Sequence, residues 1–261
     1  MPPVGNDVVD FAAPGNPGKS GDFRFCQRVF TPEERHWIAQ SSCPDEHLWA
    51  VWAAKEAAYK AVCRVNPTVC SIPKRYPVHG AVSRVLASRG ETRGDPISWE
   101  RNGERYRRFQ AADQRVKKRE PSPFILTPQG RLALRIDATE DWVHAMAAGS
   151  EAELDRLCCR VDRLEGSVDP SAFVRENLLR EITRRVGCPA GDLRVVTDPA
   201  GAGAPRVLLR GRLLTTRISL SHDGRFVAFV FVLPSETVEK QKPFSMIQRI
   251  FFRDFFLFRR T

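Results

Sequence analysis

Trp49-Ala50-Val51-Trp52-Ala53-Ala54-Lys55-Glu56-Ala57-Ala58-Tyr59-Lys60-Ala61 is the stretch that decides how the rest of the chain is read. It holds no glycine or proline and is rich in alanine, so it predicts a helix of about three turns or more. Leu48, Val51, Trp52, Ala54, Ala58 and Val62 recur at mixed three- and four-residue steps. That is the pattern of a helix buried over much of its circumference rather than along one narrow stripe. Charges on such a helix need a reason to be there. Glu56 and Lys60 stand four apart, so they leave the same face, with the acid nearer the N-terminus as a favourable pairing requires. The plainest account of them is a surface salt bridge worth about a few tenths of a kcal/mol.

With 261 residues the chain can bury one substantial core or two small ones, and its 42% hydrophobic content is ordinary for a soluble protein. Seven cysteines without regular spacing do not make a disulfide framework, and the adjacent Cys158 and Cys159 are expected to be buried thiols. The five histidines form no Cys/His metal pattern, which argues against zinc. Met1-Pro2-Pro3-Val4-Gly5-Asn6-Asp7 lacks the basic end and apolar run of a signal peptide, so a cytoplasmic location is expected. The net charge of +10 draws anions, and much of the excess sits at 101–119 and 240–260. Nucleic acid, anionic lipid, or an acidic protein or phosphate-rich ligand are the partners that charge alone allows.

Gly5-Asn6-Asp7-Val8-Val9-Asp10 reads as a short buried strand carrying an acid at Asp7, and residues 12–21, rich in Gly and Pro, as a loop. Thr31-Pro32-Glu33-Glu34 opens a helix with a Thr cap, a proline at the first helical position and an acid three residues after the cap. Residues 82–85 are expected to start a strand, and 88–123 to form a basic, irregular insertion. Strands are expected at Phe124-Ile125-Leu126, Leu132-Ala133-Leu134-Arg135-Ile136 and Trp142-Val143-His144-Ala145-Met146-Ala147, the first two joined at Gln129-Gly130. Past Asp169-Pro170, the residues Phe173, Val174, Leu178, Leu179, Ile182 and Val186 recur at helical steps and Gly187 closes the helix. A strand then follows Gly187-Cys188-Pro189, and Asp223-Gly224 marks a hairpin between two apolar runs.

Trp52-Ala53-Ala54-Lys55-Glu56-Ala57-Ala58-Tyr59-Lys60 resembles the Trp-x-x-Lys-Glu-Ala-x-x-Lys pattern of the phosphopantetheinyl transferases. Two further motifs resemble the same family, Gly5-Asn6-Asp7 as Gly-x-Asp and Ser219-Leu220-Ser221-His222 as Ser-x-Ser-His. Phe30-Thr31-Pro32-Glu33-Glu34 is also similar to a family segment, and Arg28 before it is a candidate phosphate contact. The order of motifs is that of the small acyl-carrier-protein synthases, while the length is that of the large transferases. The resemblance implies an α+β fold: a phosphopantetheinyl-transferase-like pseudo-dimer of two small antiparallel sheets, each packed on a long helix, with its halves in exchanged order. The expected units are 1–150 with the Gly-x-Asp and Lys-Glu-Ala motifs and the basic insertion, 151–234 with Ser-x-Ser-His, and a basic aromatic tail at 235–261.

The resemblance further implies Mg²⁺-dependent transfer of the phosphopantetheine arm of coenzyme A to a serine of an apo carrier protein, with release of adenosine 3′,5′-bisphosphate. Asp7 and Glu56 would be the metal ligands and Glu56 and Lys60 the catalytic pair. His222, Ser221, Lys60 and Arg28 would contact the nucleotide. The position two after Asp7 holds Val9 where some members have a third acid, and Ala204-Pro205-Arg206 stands where larger relatives have a Lys-Pro. The implied partner is an acidic acyl or peptidyl carrier of fatty-acid, polyketide or nonribosomal-peptide synthesis, met by a monomer. No nucleic acid is expected on this reading, and the tail at 235–261 offers contact to a membrane surface. The rival readings are a basic nucleic-acid-binding or membrane-surface protein and a transferase fold without activity.

Overall fold

The computed structural model describes residues 3–80, 82, 122–197 and 204–233, and the backbone of 97–101 and 104–108. Most of the insertion expected at 88–123, residues 83–85 of the strand expected there, and the tail at 235–261 lie outside the described residues.

Strand β1 (Val4–Asp10) is followed by three helices, α1 (Phe23–Val29), α2 (Pro32–Ala39) and α3 (Pro44–Cys63). After β2 (Val78–His79) and the paired β3 (Ile97–Arg101) and β4 (Glu104–Arg108) come β5 (Phe124–Thr127), β6 (Gly130–Ala138) and β7 (Trp142–Ala148). Strands β1, β7, β6, β5 and β2 lie side by side in that order as one antiparallel sheet, with β5 and β6 joined by the expected turn. The alanine-rich segment is indeed helical, and α3 runs from Pro44, a proline at the start of a helix, to Cys63. Leu48, Val51, Ala54, Ala58 and Val62 are all buried, so α3 is enclosed on several sides as its spacing predicts.

The chain continues through α4 (Glu151–Asp155), β8 (Cys158–Arg163) and α5 (Pro170–Val186). Asp169 caps α5 by accepting from the backbone N–H groups of Ser171 and Ala172, and Gly187 ends it in the left-handed region at φ 67°. Strands β9 (Leu193–Thr197), β10 (Pro205–Leu209) and β11 (Arg212–Leu213) make a small sheet; β12 (Arg217–Asp223) and β13 (Phe226–Val232) form the expected hairpin, with β8 beside β13. Val174, Leu178 and Ile182 of α5 pack on Ile218, Val227, Phe229 and Phe231. One expectation fails here. Cys158 is half-buried and Cys159 exposed, because β8 is an edge strand, and all seven cysteines are free thiols.

The two parts meet on β1, whose alternation sends successive side chains to opposite faces. Gly5, Asp7 and Val9 face α3. Val4 packs on Val230 and Val232, and Val8 on Phe226 and Ala228. The strand's free edge is met by side chains of β12: the Asn6 N–H donates to Ser219 Oγ (3.1 Å) and the Asp10 N–H to Asp223 Oδ2 (2.9 Å). Buried backbone donors that lack a strand partner must find one elsewhere, and here the second half supplies it.

Gly5 sits where β1 crosses α3 with no room for a side chain. A Cβ there would stand 2.0 Å from the carbonyl oxygen of Ala57 and 2.7 Å from the nitrogen of Ala61, both backbone atoms. Gly5→Ala must push the strand off the helix, and a loss of about 3 kcal/mol is expected for forced overpacking of this kind. Urea unfolding monitored by tryptophan fluorescence would measure it, and a midpoint equal to that of the parent would contradict the close approach.

Candidate active site

Asp7 leaves β1 toward α3, one step beyond the glycine contact. Lys60, one turn past the Gly5 contact at Ala57, donates from Nζ to Asp7 Oδ1 at 2.6 Å. Glu56 leaves the same stripe one turn earlier and is half-buried. Burial lifts the Glu56 carboxyl above its ordinary value, the negative charge of Asp7 lifts it further, and Lys60 opposes both. Asp7 is likewise raised, chiefly by burial, with Lys60 pulling it down, Asp223 pushing it up and His222 pulling it down. Asp7 and Lys60 thus act on the Glu56 carboxyl in opposite directions. From β12, His222 and Asp223 act on Asp7 through their charge, while the Asp223 carboxylate itself accepts from the Asp10 N–H and from Asn16 Nδ2.

Of the residues read from the sequence, Asp7 and Lys60 are joined and both act on Glu56, while His222, exposed on β12, acts on Asp7 through its charge. Ser221 does not belong to that group. It is 5% exposed, and its hydroxyl accepts from Asn6 Nδ2 at 3.0 Å, so its side chain joins the two halves. Ser219 is fully buried and caps the Asn6 N–H. Strand parity accounts for the split, because 219, 221 and 223 face β1 while 222 faces away from that seam. Arg28 is exposed on α1, with its guanidinium 6.0 Å from the centre of the Phe25 ring. Phe25 packs in turn on Trp52, one turn before Glu56.

Lys55, the first lysine of the helix motif, has a structural place. It is 1% exposed, pairs with Glu34 at 2.8 Å, and donates to the carbonyls of Pro73 (3.0 Å) and Tyr76 (2.9 Å). Glu34 completes the α2 capping box and also accepts from the Val78 N–H at 2.9 Å. A buried ion pair persists only when its remaining donors and acceptors are met, and these are. The sequence marked Glu34 as a cap; nothing in it marked Glu34 as the partner of Lys55.

Four other residues, Asn6, His144, Asp10 and Asn16, were given no site role from the sequence. The Asn6 amide also lies 3.0 Å from Nε2 of His144, which burial drives down to about 3, so that this histidine is neutral at ordinary pH. Asp10, on the face opposite Asp7, takes a two-pronged contact from Arg225 (2.9 and 2.7 Å) and caps Ala12. Burial raises its carboxyl, but the hydrogen bonds from Arg225 and Ala12 outweigh that and hold it low. Asn16 links the same cluster to α3, since its carbonyl accepts from Trp49 Nε1 and its amide donates to Asp223. Such residues carry a signal only in strand parity, which shows the face and not the partner.

Residues 3–89 match the family model of the 4′-phosphopantetheinyl transferase superfamily. The span is about a third of the chain and includes Gly5, Asp7, Arg28, Glu34, Lys55, Glu56 and Lys60. It supports a transferase of the superfamily's kind, as the motifs indicated. His222 and its strand lie beyond it. No curated protein matches the chain.

The superfamily's implied metal finds a suitable donor set. Asp7 and Glu56 carry the hard oxygen donors that would suit such a metal, both are destabilised as anions by burial, and the Asp7 carboxylate pairs with the Lys60 ammonium. Among the described residues no group of three or more His, Cys, Asp or Glu side chains converges for a metal. Among the described residues Asp7 and Glu56 are the two carboxylates that would serve, and water and substrate oxygens would complete a shell.

A carboxyl raised by burial is most comfortable when protonated, so its contribution to stability is present below the unfolded value near 4.5 and is lost as pH rises through the folded value. Glu56→Gln should therefore raise the melting temperature at pH 7 by roughly 2–4 °C, on a gain of about 1 kcal/mol. The gap should close below about pH 4.5, where the unfolded glutamate is protonated as well. Calorimetry across that range checks both the sign and the window; a variant less stable at pH 7 would contradict the burial of this charge.

Proposed function

We propose that this chain transfers the 4′-phosphopantetheine arm of coenzyme A to a serine of an acidic apo carrier protein, with Mg²⁺ as the metal and adenosine 3′,5′-bisphosphate as the product that leaves. The observation that carries the reading is that β1 and α3 bring Asp7, Glu56 and Lys60 together, with the charge of His222 from β12 acting on Asp7. The family match over residues 3–89 supports it independently.

Phosphoryl transfer asks chiefly for alignment and for neutralisation of charge. On this reading Asp7 and Glu56 would hold the metal, which would supply polarisation of the attacked phosphate. Glu56 takes the proton from the carrier's serine hydroxyl, directly or through a water, as its oxygen attacks the phosphorus. The bond from that phosphorus to the bridging diphosphate oxygen breaks, and the nucleotide leaves with the charge. Lys60 stands one turn along the same stripe, placed to neutralise the diphosphate. His222 contacts a nucleotide phosphate from the second half, and Arg28 is an outlying positive charge on the approach. The raised Glu56 carboxyl suits a base, since its conjugate acid is a weaker acid than a solvated glutamate.

The two halves would be a pseudo-dimer with their usual order exchanged, each a small antiparallel sheet on a helix, closing one site within a single chain. Cytoplasmic action belongs to the same proposal. The basic surface, +10 overall, would speed encounter with an acidic carrier.

Incubation with Mg²⁺, coenzyme A and a panel of apo carriers should add the mass of one arm to at least one of them. Asp7→Ala and Glu56→Ala should each lower the rate by at least about a hundredfold, the usual scale for removing a positioned acid or base, while circular dichroism stays unchanged. An unaltered rate in either would remove the metal assignment. Light scattering should find an active monomer, and activity confined to a trimer would rule out the one-chain site.

A further inference from the structure

Arg64 has no role in the motifs, yet it lies at the tip of the stripe that carries the reacting groups. Glu56, Lys60 and Arg64 follow one another at four-residue steps, so all three leave one side of α3, with Arg64 just past its last turn. Its Nη1 donates to the carbonyl of Val4 at 3.2 Å and to the carbonyl of Ile218. Val4 opens β1, and Ile218 lies on β12 four residues before His222. One guanidinium therefore ties the helix bearing Glu56 and Lys60 to both strands of the seam. Burial pulls Arg64 down to about 10, and among the described residues no carboxylate pairs with it. Arg64 is half-buried, and two backbone carbonyls rather than an acid accept its charge.

The contacts between the halves advance together along β1 and β12. Arg64 holds one end, the Ser219 and Ser221 hydroxyls meet Asn6 in the middle, and Asp223 meets the Asp10 N–H at the other end. The far end has its own arginine, Arg225 on Asp10. Asp7 and Glu56 both belong to the first half, so a metal held by them needs nothing from β12. A nucleotide held by Lys60 and His222 needs both halves at a fixed separation.

We propose that Arg64 is a positioning residue: by joining the end of α3 to the carbonyls of Val4 and Ile218, it sets His222 at the distance from Lys60 that the coenzyme's phosphates require. The inference rests on the transferase reading above. It separates two affinities that a general loosening of the fold would lower together.

The test compares the full-length parent with Arg64→Met and Arg64→Lys. Mn²⁺ binding without nucleotide, followed by electron paramagnetic resonance, reads the first-half ligands alone. Binding of adenosine 3′,5′-bisphosphate, followed by calorimetry, reads both halves. Arg64→Met should leave Mn²⁺ affinity within about twofold and weaken the nucleotide about tenfold, the equivalent of about 1.4 kcal/mol. Arg64→Lys, which still reaches one carbonyl, should recover part of that loss. Equal losses in both affinities would assign Arg64 to the fold alone and overturn the proposal, as would an unchanged nucleotide affinity in Arg64→Met. If the parent itself binds neither Mn²⁺ nor nucleotide, the transferase reading fails and the proposal with it. That outcome is distinct from a parent that binds both and a variant that binds equally well.

Discussion

The contact on which everything else depends is that of Gly5 with the backbone of α3. A strand lying this close to a helix leaves no freedom to slide, because one face meets main-chain atoms and the other is closed by Val230, Val232, Phe226 and Ala228. Close-packed interiors transmit position in this way. Asp7, two residues on, is thereby placed against Lys60 and within the influence of Glu56. A longer side chain at position 5 would move the acid as well as the strand.

Each half also completes the other chemically. β1 has one sheet neighbour, β7, and its outer edge would be left with unpaired groups if β12 did not bring Ser219 and Asp223 to it. The serines of Ser-x-Ser-His are thus partners of β1, and the histidine between and beyond their faces is the group left to look outward. The same logic separates the two lysines of the helix motif. Lys55 is spent on Glu34 and two carbonyls in the core, whereas Lys60, a turn and a third further, is half-buried against Asp7. Five residues along a helix reverse the side from which a group emerges.

The charges that hold the molecule together and those that prepare a site differ in how fully they are met. Glu34 and Asp10 accept from several donors each, and both are nearly inaccessible. Asp7 has one ammonium, Glu56 has unfavourable company, and both carboxyls sit above their ordinary values. Burial thus disfavours the charged form of both acids, which only Lys60 offsets by direct contact with Asp7.

The sequence by itself determined the local structure: the Thr31 cap, the breaker-free run in α3, the Asp169 cap and Gly187 stop of α5, and the turns at Gln129-Gly130 and Asp223-Gly224. It also marked Asp7, Glu56, Lys60 and His222, since spacing and motif order survive in one dimension. These signals are short-ranged, and cap, turn and periodicity are complete within a few residues. The tertiary structure alone decided who meets whom. The pairing of Lys55 with Glu34, the turning of Ser221 to Asn6, the exposure of Cys159 on an edge strand and the reach of Arg64 to Val4 and Ile218 all join positions far apart in the chain or depend on which strand ends a sheet. Alternation along a strand fixes the face on which a side chain emerges, and only the packing of the second half onto β1 fixes what it finds there.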